Sequence, residues 1–447
     1  MAPEPNGRDL WRHADFLRLW AAQAVSAFGS RITRTALPII AVVTLHKPAV
    51  MVGLLAAMQL VPGVILAMLA GGLVDRGRKR RILIAADLVR AALVASLPLA
   101  SALDALSITQ VIAVGAGVGA ASALFQITDV AYLPSLIGRR RLAEGNAKLE
   151  TTEAIAEITG PASAGVLISA LGAPFAVVVN AASYAWSAFM LGRICGGDDG
   201  GAQGQRLPTA EIEPAASVMR TGEDFRIGLR AVFGHPLVRP IVLTLMMWSV
   251  TGGFFLALYT PYCLREIGLP EATFGVIIAM GGIGSLAGAM LARGFARRLG
   301  VGRTLLVVAT LSLACTLFIP IAASGTSRAM TIGFLVAHQL LGDGFSVAFI
   351  VLAVTLRQTV LPRDVLGRAN AAVYVCTTGV LVIASVAAGG LASLIGIRAA
   401  VWSGLLVGLV APSLLWPLRH LRTMPAGDLG ASEPARPRAE PRAEPRD

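Results

Sequence analysis

The stretch Gly71-Gly-Leu-Val-Asp-Arg-Gly-Arg-Lys-Arg-Arg81 decides how this chain is read. It places one acid, Asp75, and five cations, Arg76, Arg78, Lys79, Arg80 and Arg81, between apolar runs at 51–74 and 82–103. A bilayer core about 30 Å thick is crossed by about 20 apolar residues in a helix, so each run is long enough to span it. A strongly basic loop between two such runs marks the cytoplasmic side of a membrane.

Composition extends this reading to the whole chain. Of 447 residues, 55% are hydrophobic and 14% charged, with a mean hydropathy of +0.71. Soluble domains are about 45–50% apolar and about 25% charged. The sequence is too apolar for a soluble or a disordered protein, and its four cysteines are too few for a disulfide scaffold. A net charge of +12 in a soluble chain would suggest nucleic acid. Here it is read as sidedness.

Twelve apolar segments can be marked outward from the basic loop: 16–45, 51–74, 82–103, 107–133, 147–170, 174–195, 238–263, 271–294, 302–323, 329–356, 367–395 and 398–420. With the N-terminus inside, 31 of the 38 Lys and Arg fall on the inner side and 4 on the outer. Arg31, Arg34 and Arg90 remain within the spans. The expected fold is therefore an all-α membrane protein of twelve transmembrane helices, multi-pass in the cytoplasmic membrane, with both termini in the cytoplasm. The first apolar stretch is too long for a signal-peptide core, so it is expected to stay as an anchor.

The expected organisation is a six-helix half at 1–195, a linker at 196–237, a second half at 238–422 and a disordered Pro/Arg/Glu tail at 423–447. Residues 224–239 alternate apolar and basic groups, which predicts an amphipathic helix on the inner leaflet. The halves echo each other: Gly71…Asp75-Arg76-Gly77 aligns with Gly288…Ala292-Arg293-Gly294, and Leu133-Pro134 with Leu361-Pro362. Two six-helix parallel repeats are a known transporter architecture.

At this point the motifs resemble a family. Gly71-x-x-x-Asp75-Arg76-x-x-Lys79-Arg80 resembles the signature loop of the major facilitator superfamily, with Arg78 where a Gly is usual and Gly77 one place early. Ala36-Leu-Pro38, Asp87-Leu-Val-Arg90, Tyr132-Leu-Pro134, Glu144-Gly-Asn146-x-x-Leu-Glu150 and Gly160-Pro161 resemble the drug–proton antiporter branch that includes macrolide efflux proteins and the enterobactin exporter. The resemblance implies a gate built on Gly71, Asp75, Arg76 and Arg80, with Arg363 or Arg368 as the partner of Asp75. Two departures stand out. Ser30 follows Gly29 where relatives often carry an Asp, and Ala162-Ser-Ala164 separates Gly160-Pro161 from Gly165.

Charges inside the spans are costly and mark function by default. Glu150, Glu153 and Glu157 are spaced i, i+3, i+7 and share one helix face. Arg31 and Arg34 share a face in the first span and are natural counter-charges or anion holders. Glu153, Glu157, Arg31, Arg34 and Asp343 are the candidates for proton coupling, against the alternative of a static ion-pair network, and Asp343, between Gly342 and Gly344, is equally suited to substrate contact or a packing pair. Asp87 is expected to pair with Arg90, and Asp129 with the basic run at 76–81. His338 is expected to be a hydrogen-bonded structural histidine. Gly160-Pro161 is where the fifth span can bend. Cavity walls are sought among Phe28, Met58, Phe125, Trp248, Phe254, Phe255, Tyr259, Phe345 and Tyr374, which are equally suited to core packing.

No Gly-Lys-Ser/Thr, no metal cluster and no G-x-S-x-G elbow occurs, so neither ATP-driven nor covalent chemistry is expected, and no cofactor or metal. The expected function is alternating-access export of an amphipathic small molecule in exchange for protons. Its partners would be that substrate, protons and the lipid bilayer, with no nucleic acid, and the chain would act as a monomer. A siderophore or other anionic metabolite, import or uniport by the same fold, and a non-transporting membrane sensor are the alternatives.

Overall fold

The computed structural model describes residues 10–69, 78–138, 141–195 and 222–422. The first half contains α1 (Ala14–Ile39), α2 (Ala49–Leu69), α3 (Lys79–Ala102), α4 (Ile108–Ile137), α5 (Leu142–Leu171) and α6 (Val178–Gly192). A short helix, α7 (Gly222–Gly234), precedes the second half. That half contains α8 (Val238–Pro261), α9 (Glu271–Leu299), α10 (Val301–Thr316), α11 (Arg328–Val360), α12 (Arg363–Ile395) and α13 (Ile397–Gly408). Eleven helices among the described residues are long and apolar enough to cross a membrane. The twelfth, α1, has 26 residues but carries Asp15, Arg18, Arg31 and Arg34, which lower its apolarity. The protein is an all-α membrane protein of two six-helix halves.

Local chemistry explains where helices begin and end. His13 Nδ1 accepts the Phe16 N–H at 3.1 Å, while Ser107 and Ser327 hydroxyls accept from Gln110 and Met330 N–H at 3.2 Å. Helices α5 and α12 stop at Gly172 and Gly396, both in the left-handed region, with φ of 83° and 85°.

The first helix of each half ends in the same distorted way. The chain widens into a π turn at Ile40–Thr44 and again at Tyr262–Glu266. In the first, Leu45 N–H bonds to Ile40 C=O and Lys47 N–H to Ala41 C=O, both at 2.9 Å. In the second, Ile267 bonds to Tyr262 and Leu269 to Cys263, both at 3.0 Å. A left-handed residue follows each turn, His46 at 50° and Gly268 at 73°, and then a proline, Pro48 or Pro270, opens the next helix. Each of these pairs is 222 residues apart (40 and 262, 46 and 268, 48 and 270).

The halves meet along α5–α9 and α2–α12. Glycines carry both crossings. A Cβ on Gly165 would lie 2.8 Å from the Glu271 carbonyl oxygen, and one on Gly389 2.8 Å from the Ala49 carbonyl oxygen. Gly275 sits against Pro161, and Gly53 against Ser385. With no hydrophobic force between helices in lipid, such small-residue contacts let backbones approach and gain dispersion energy. We call the end bearing the π turns the far end and the other the linker end.

The core follows the same division. One buried cluster spans both halves at the far end, from Ile39, Val52 and Ile168 to Tyr262, Phe274 and Ala388. Toward the linker end the cores separate. Phe16, Leu83 and Tyr132 belong to the first half, and Leu305, Phe349 and Leu356 to the second. The bundle is thus sealed at its far end, where Arg265 of the second half donates to the Lys47 carbonyl at 2.8 Å and also to that of Val42.

The helix before the second half differs from the sequence expectation. Rather than resting on lipid alone, α7 packs on α12. Gly228 lies against the Arg368 backbone, and Val232 is buried with Val238, Leu361 and Val373. Phe225, Ile227, Leu229 and Phe233 stay half-buried, so the protein covers only part of its apolar face.

Candidate functional site

The site forms where α1 crosses α5. Gly160 makes this crossing possible: a Cβ there would come within 2.5 Å of Arg31 Cβ. Pro161 brings no N–H to the helix ladder and so leaves the Glu157 carbonyl without its usual donor. That carbonyl faces Gly282 of α9, where a Cβ would stand 3.2 Å away.

Arg31 reaches across the crossing and ion-pairs with both Glu157, at 2.5 Å, and Glu153. The arginine side chain is 15% exposed, whereas the two glutamates are 48% and 46% exposed. One guanidinium therefore grips two half-exposed carboxylates, and its Nε has no hydrogen-bond partner. A planar fork suits this double grip better than an ammonium would. Glu150, one turn nearer the linker end, is exposed. Arg34 is exposed, makes no ion pair or hydrogen bond among the described residues, and interacts electrostatically with Arg31, Glu157 and Glu153. Asp343 of α11 completes the group from the second half. It is half-buried and within electrostatic range of Glu157.

Behind this group a polar chain runs through the first half. Ser30 donates to the Ser26 carbonyl at 2.7 Å and shares a hydrogen bond with the Tyr184 hydroxyl at 3.0 Å. Tyr184 and Phe125 sandwich the Arg90 guanidinium, each ring 4.4 Å away. Arg90 pairs with the fully buried Asp87, as the i, i+3 spacing predicts. A desolvated cation between two ring faces is stabilised by about 2 kcal/mol or more. Asn180 Nδ2 donates to the Thr33 hydroxyl at 2.6 Å. Nothing in the sequence singles out Tyr184, Asn180 or Gln23, because their partners are set by helix rotation and tilt.

Several expectations change. Asp129 accepts from Gln23 Nε2 of α1 at 2.6 Å, and Arg76 of the basic run lies outside the described residues. Phe125 belongs to the Arg90 sandwich and is buried, as is Tyr259, stacked on Phe255 at 4.3 Å. Phe28, Met58, Trp248, Phe254, Phe255 and Phe345 are half-buried, and Tyr374 is 45% exposed. Trp248 lies 5.1 Å from Phe349, and Gly404 packs against Phe254. His338 is buried, 3.1 Å from the Cys315 carbonyl through Nδ1.

Of the signature-loop residues, Gly71, Asp75 and Arg76 lie outside the described residues, as does the side chain of Arg363. Arg80 donates to the Leu191 carbonyl at 2.8 Å and to that of Gly192, closing the C-terminus of α6. Arg368 lies 3.4 Å from Asp224 of α7.

A duplicated helical bundle with a charged cluster at the seam between its halves defines a membrane transporter class, and comparison with known proteins agrees. The Major Facilitator Superfamily model matches residues 19–360, and the chain belongs to that family. It is 27% identical over 366 residues to an uncharacterized MFS-type transporter of Sinorhizobium fredii, covering 81% of this chain and 84% of the relative. The structure is similar to that of the nucleoside transporter NupG, with a TM-score of 0.68 at 10% identity over 90% of this chain and 98% of the other. It is also similar to a bacterial homologue of the iron transporter ferroportin. The inward-facing form of that protein gives a TM-score of 0.68 at 17% identity, covering 92% of this chain and 100% of the other. Its outward-facing form gives 0.54 at 18% identity, covering 90% and 99%. The protein is a transporter and not an enzyme.

Proposed function

We propose that the protein exports an amphipathic small molecule across the cytoplasmic membrane in exchange for protons, acting as a monomer with both termini in the cytoplasm. The observation that carries this reading is the grip of Arg31 on Glu153 and Glu157 at the seam. Protonating either glutamate removes one of the two ion pairs and loosens the α1–α5 crossing that Gly160 brings so close. A proton thereby biases the packing of one helix pair, which is what coupling to alternating access requires. The linker end then faces the cytoplasm, and the far-end seal makes this the inward-open state. Half-buried aromatics on both halves offer apolar contact to a substrate.

Arg34 favours a second reading. Its guanidinium is exposed and makes no ion pair among the described residues, so an anionic metabolite, such as a siderophore, would find a ready partner. Gly71, Asp75, Arg76 and Arg80, with Arg363 or Arg368, are proposed as the gate.

Inverted membrane vesicles test the main reading. With the lumen acidified, wild-type protein should concentrate amphipathic compounds inside, and an uncoupler should collapse the gradient. Accumulation that ignores the uncoupler, or none across a panel of antibiotics and siderophores, would remove it.

A further inference from the structure

The two halves close their linker-end corners by different means. In the first half side chains do it. Lys79 donates to the Ala131 carbonyl at 2.9 Å, and Arg80 to the carbonyls of Leu191, at 2.8 Å, and Gly192. In the second half the backbone does it. Past α13 the chain runs through a 3-10 helix, Ala411–His420, to the start of α10. There Gly302 N–H donates to the Leu421 carbonyl at 2.9 Å, and Val301 N–H to that of Arg422 at 3.3 Å. Gly302 permits the contact, because a Cβ at that position would strike the Leu418 carbonyl oxygen. Gly300 turns the chain from α9 into α10 at a φ of 84°.

The cations at this second corner are therefore free of the capping task. Arg298, Arg303 and Arg422 are exposed and make no ion pair or side-chain hydrogen bond among the described residues. All three lie within two residues of the contacts that Gly300 and Gly302 make with Leu421 and Arg422. Arg419, one turn earlier, lies 4.5 Å over the exposed ring of Trp416. Acids are scarce around them. Between Glu271 and Asp428 the chain holds two, Asp343 in α11 and Asp364 at the start of α12. In the second half's copy of the basic loop, Ala292 stands where the first half has Asp75.

Beside the cations the surface is apolar. Arg303, Val307 and Leu311 are spaced i, i+4, i+8 and share an exposed face of α10, opposite the buried Val301, Leu305 and Val308. Arg303 stands at the end of a membrane span, Val301–Ala322, so this face is a guanidinium above an apolar stripe about 12 Å long. Trp416 lies at the matching end of the span Ile397–His420, at the level where aromatic rings meet lipid headgroups. A soluble anion would engage the guanidinium groups and leave the stripe bare. The partner that fits both is anionic at one end and apolar along its length.

We propose that this corner of the second half binds one anionic phospholipid from the leaflet at the linker end. Arg303 and Arg422 donate to its phosphate oxygens, Arg298 and Arg419 flank them, and the acyl chains lie along Val307 and Leu311. The lipid supplies the negative charge that the loop between α9 and α10 lacks. The first half has no equivalent site, because Lys79 and Arg80 already donate to backbone carbonyls.

The test uses full-length protein in phosphatidylcholine nanodiscs, with phosphatidylglycerol of the same acyl chains added stepwise and retained lipid counted by native mass spectrometry. Wild type should retain phosphatidylglycerol in preference to phosphatidylcholine. Arg303→Gln and Arg422→Gln should each weaken that retention about fivefold, and the double variant about 25-fold. Arg12→Gln removes an exposed cation at the linker end of the first half and should leave retention unchanged. Excess inorganic phosphate should not displace the lipid. In wild type, brominated phosphatidylglycerol should quench Trp416 more strongly than brominated phosphatidylcholine at the same mole fraction, with Trp416→Phe as the blank. Thermal unfolding of each variant shows that the fold is kept. The site is overturned if wild type retains or is quenched by both lipids alike, if the double variant retains phosphatidylglycerol unchanged, if Arg12→Gln loses as much, or if inorganic phosphate displaces the lipid.

Discussion

The two halves share a backbone and differ in charge. Their first helices end in the same π turn, the same left-handed corner and the same proline, 222 residues apart (40 and 262, 46 and 268, 48 and 270). On that register, Arg31 and Arg34 correspond to Gly253 and Leu256. Gly172 and Gly396 set a second register of 224 for α5 and α12, on which Glu153 and Glu157 correspond to Thr377 and Leu381. The scaffold is therefore duplicated while the ion-pair cluster is not. What both halves keep is the geometry of the seam. The first half adds the ion pairs of Arg31 with Glu153 and Glu157, and the second adds Asp343, which has no ion pair among the described residues.

Breaking the Arg31 ion pairs should have the largest effect. Arg31→Gln leaves Glu153 and Glu157 together without their shared cation, and proton-driven transport in vesicles should fall at least a hundredfold with the protein still in the membrane. Retained coupling would mean that the asymmetry between the halves is structural only.

The far-end clamp sharpens the comparison next. Arg265 joins the two corners through carbonyls of Val42 and Lys47, and its counterpart at the other corner is Val43, which has no such reach. Arg265→Gln should shift the population toward a far-end-open form by about tenfold, since bonds to a charged donor are each stronger than neutral ones. Spin-label distances between the 104–106 and 324–326 loops would report it. Val43→Gln should leave them unchanged.

Smaller effects test packing. Gly160→Ala places a methyl against Arg31 Cβ and should destabilise by about 1–3 kcal/mol by overpacking. The position that corresponds to it, Ala384, should tolerate Gly at about 1 kcal/mol of helix propensity. The gentlest change is Ser30→Ala, which removes the hydroxyl between Ser26 and Tyr184 and should lower stability by about 1 kcal/mol. Thermal unfolding in detergent measures all three.

The fold was legible because lipid imposes simple rules. Spans must be apolar, and loops carry their charges by side. The hardest span to recognise by hydropathy is α1, because Arg31 and Arg34 dilute it, and those same residues point to the site. The Arg31–glutamate cluster was half-legible: i, i+3, i+7 spacing puts three acids on one face whatever the tertiary structure. The partners of Asp129, Phe125 and Tyr184 depend on how helices rotate against one another, which no local pattern encodes. The π turns were likewise hidden, since Ile40–Thr44 and Tyr262–Glu266 have little residue identity in common.

The glycine crossings carry one more consequence. Gly165 meets Glu271 as Gly389 meets Ala49, and Pro161 meets Gly275 as Ser385 meets Gly53. This reciprocity is what an isologous interface between two identical subunits looks like. The seam thus has the contact pattern of two copies of one six-helix unit, with matching contacts on both sides of it and different charges in the two halves.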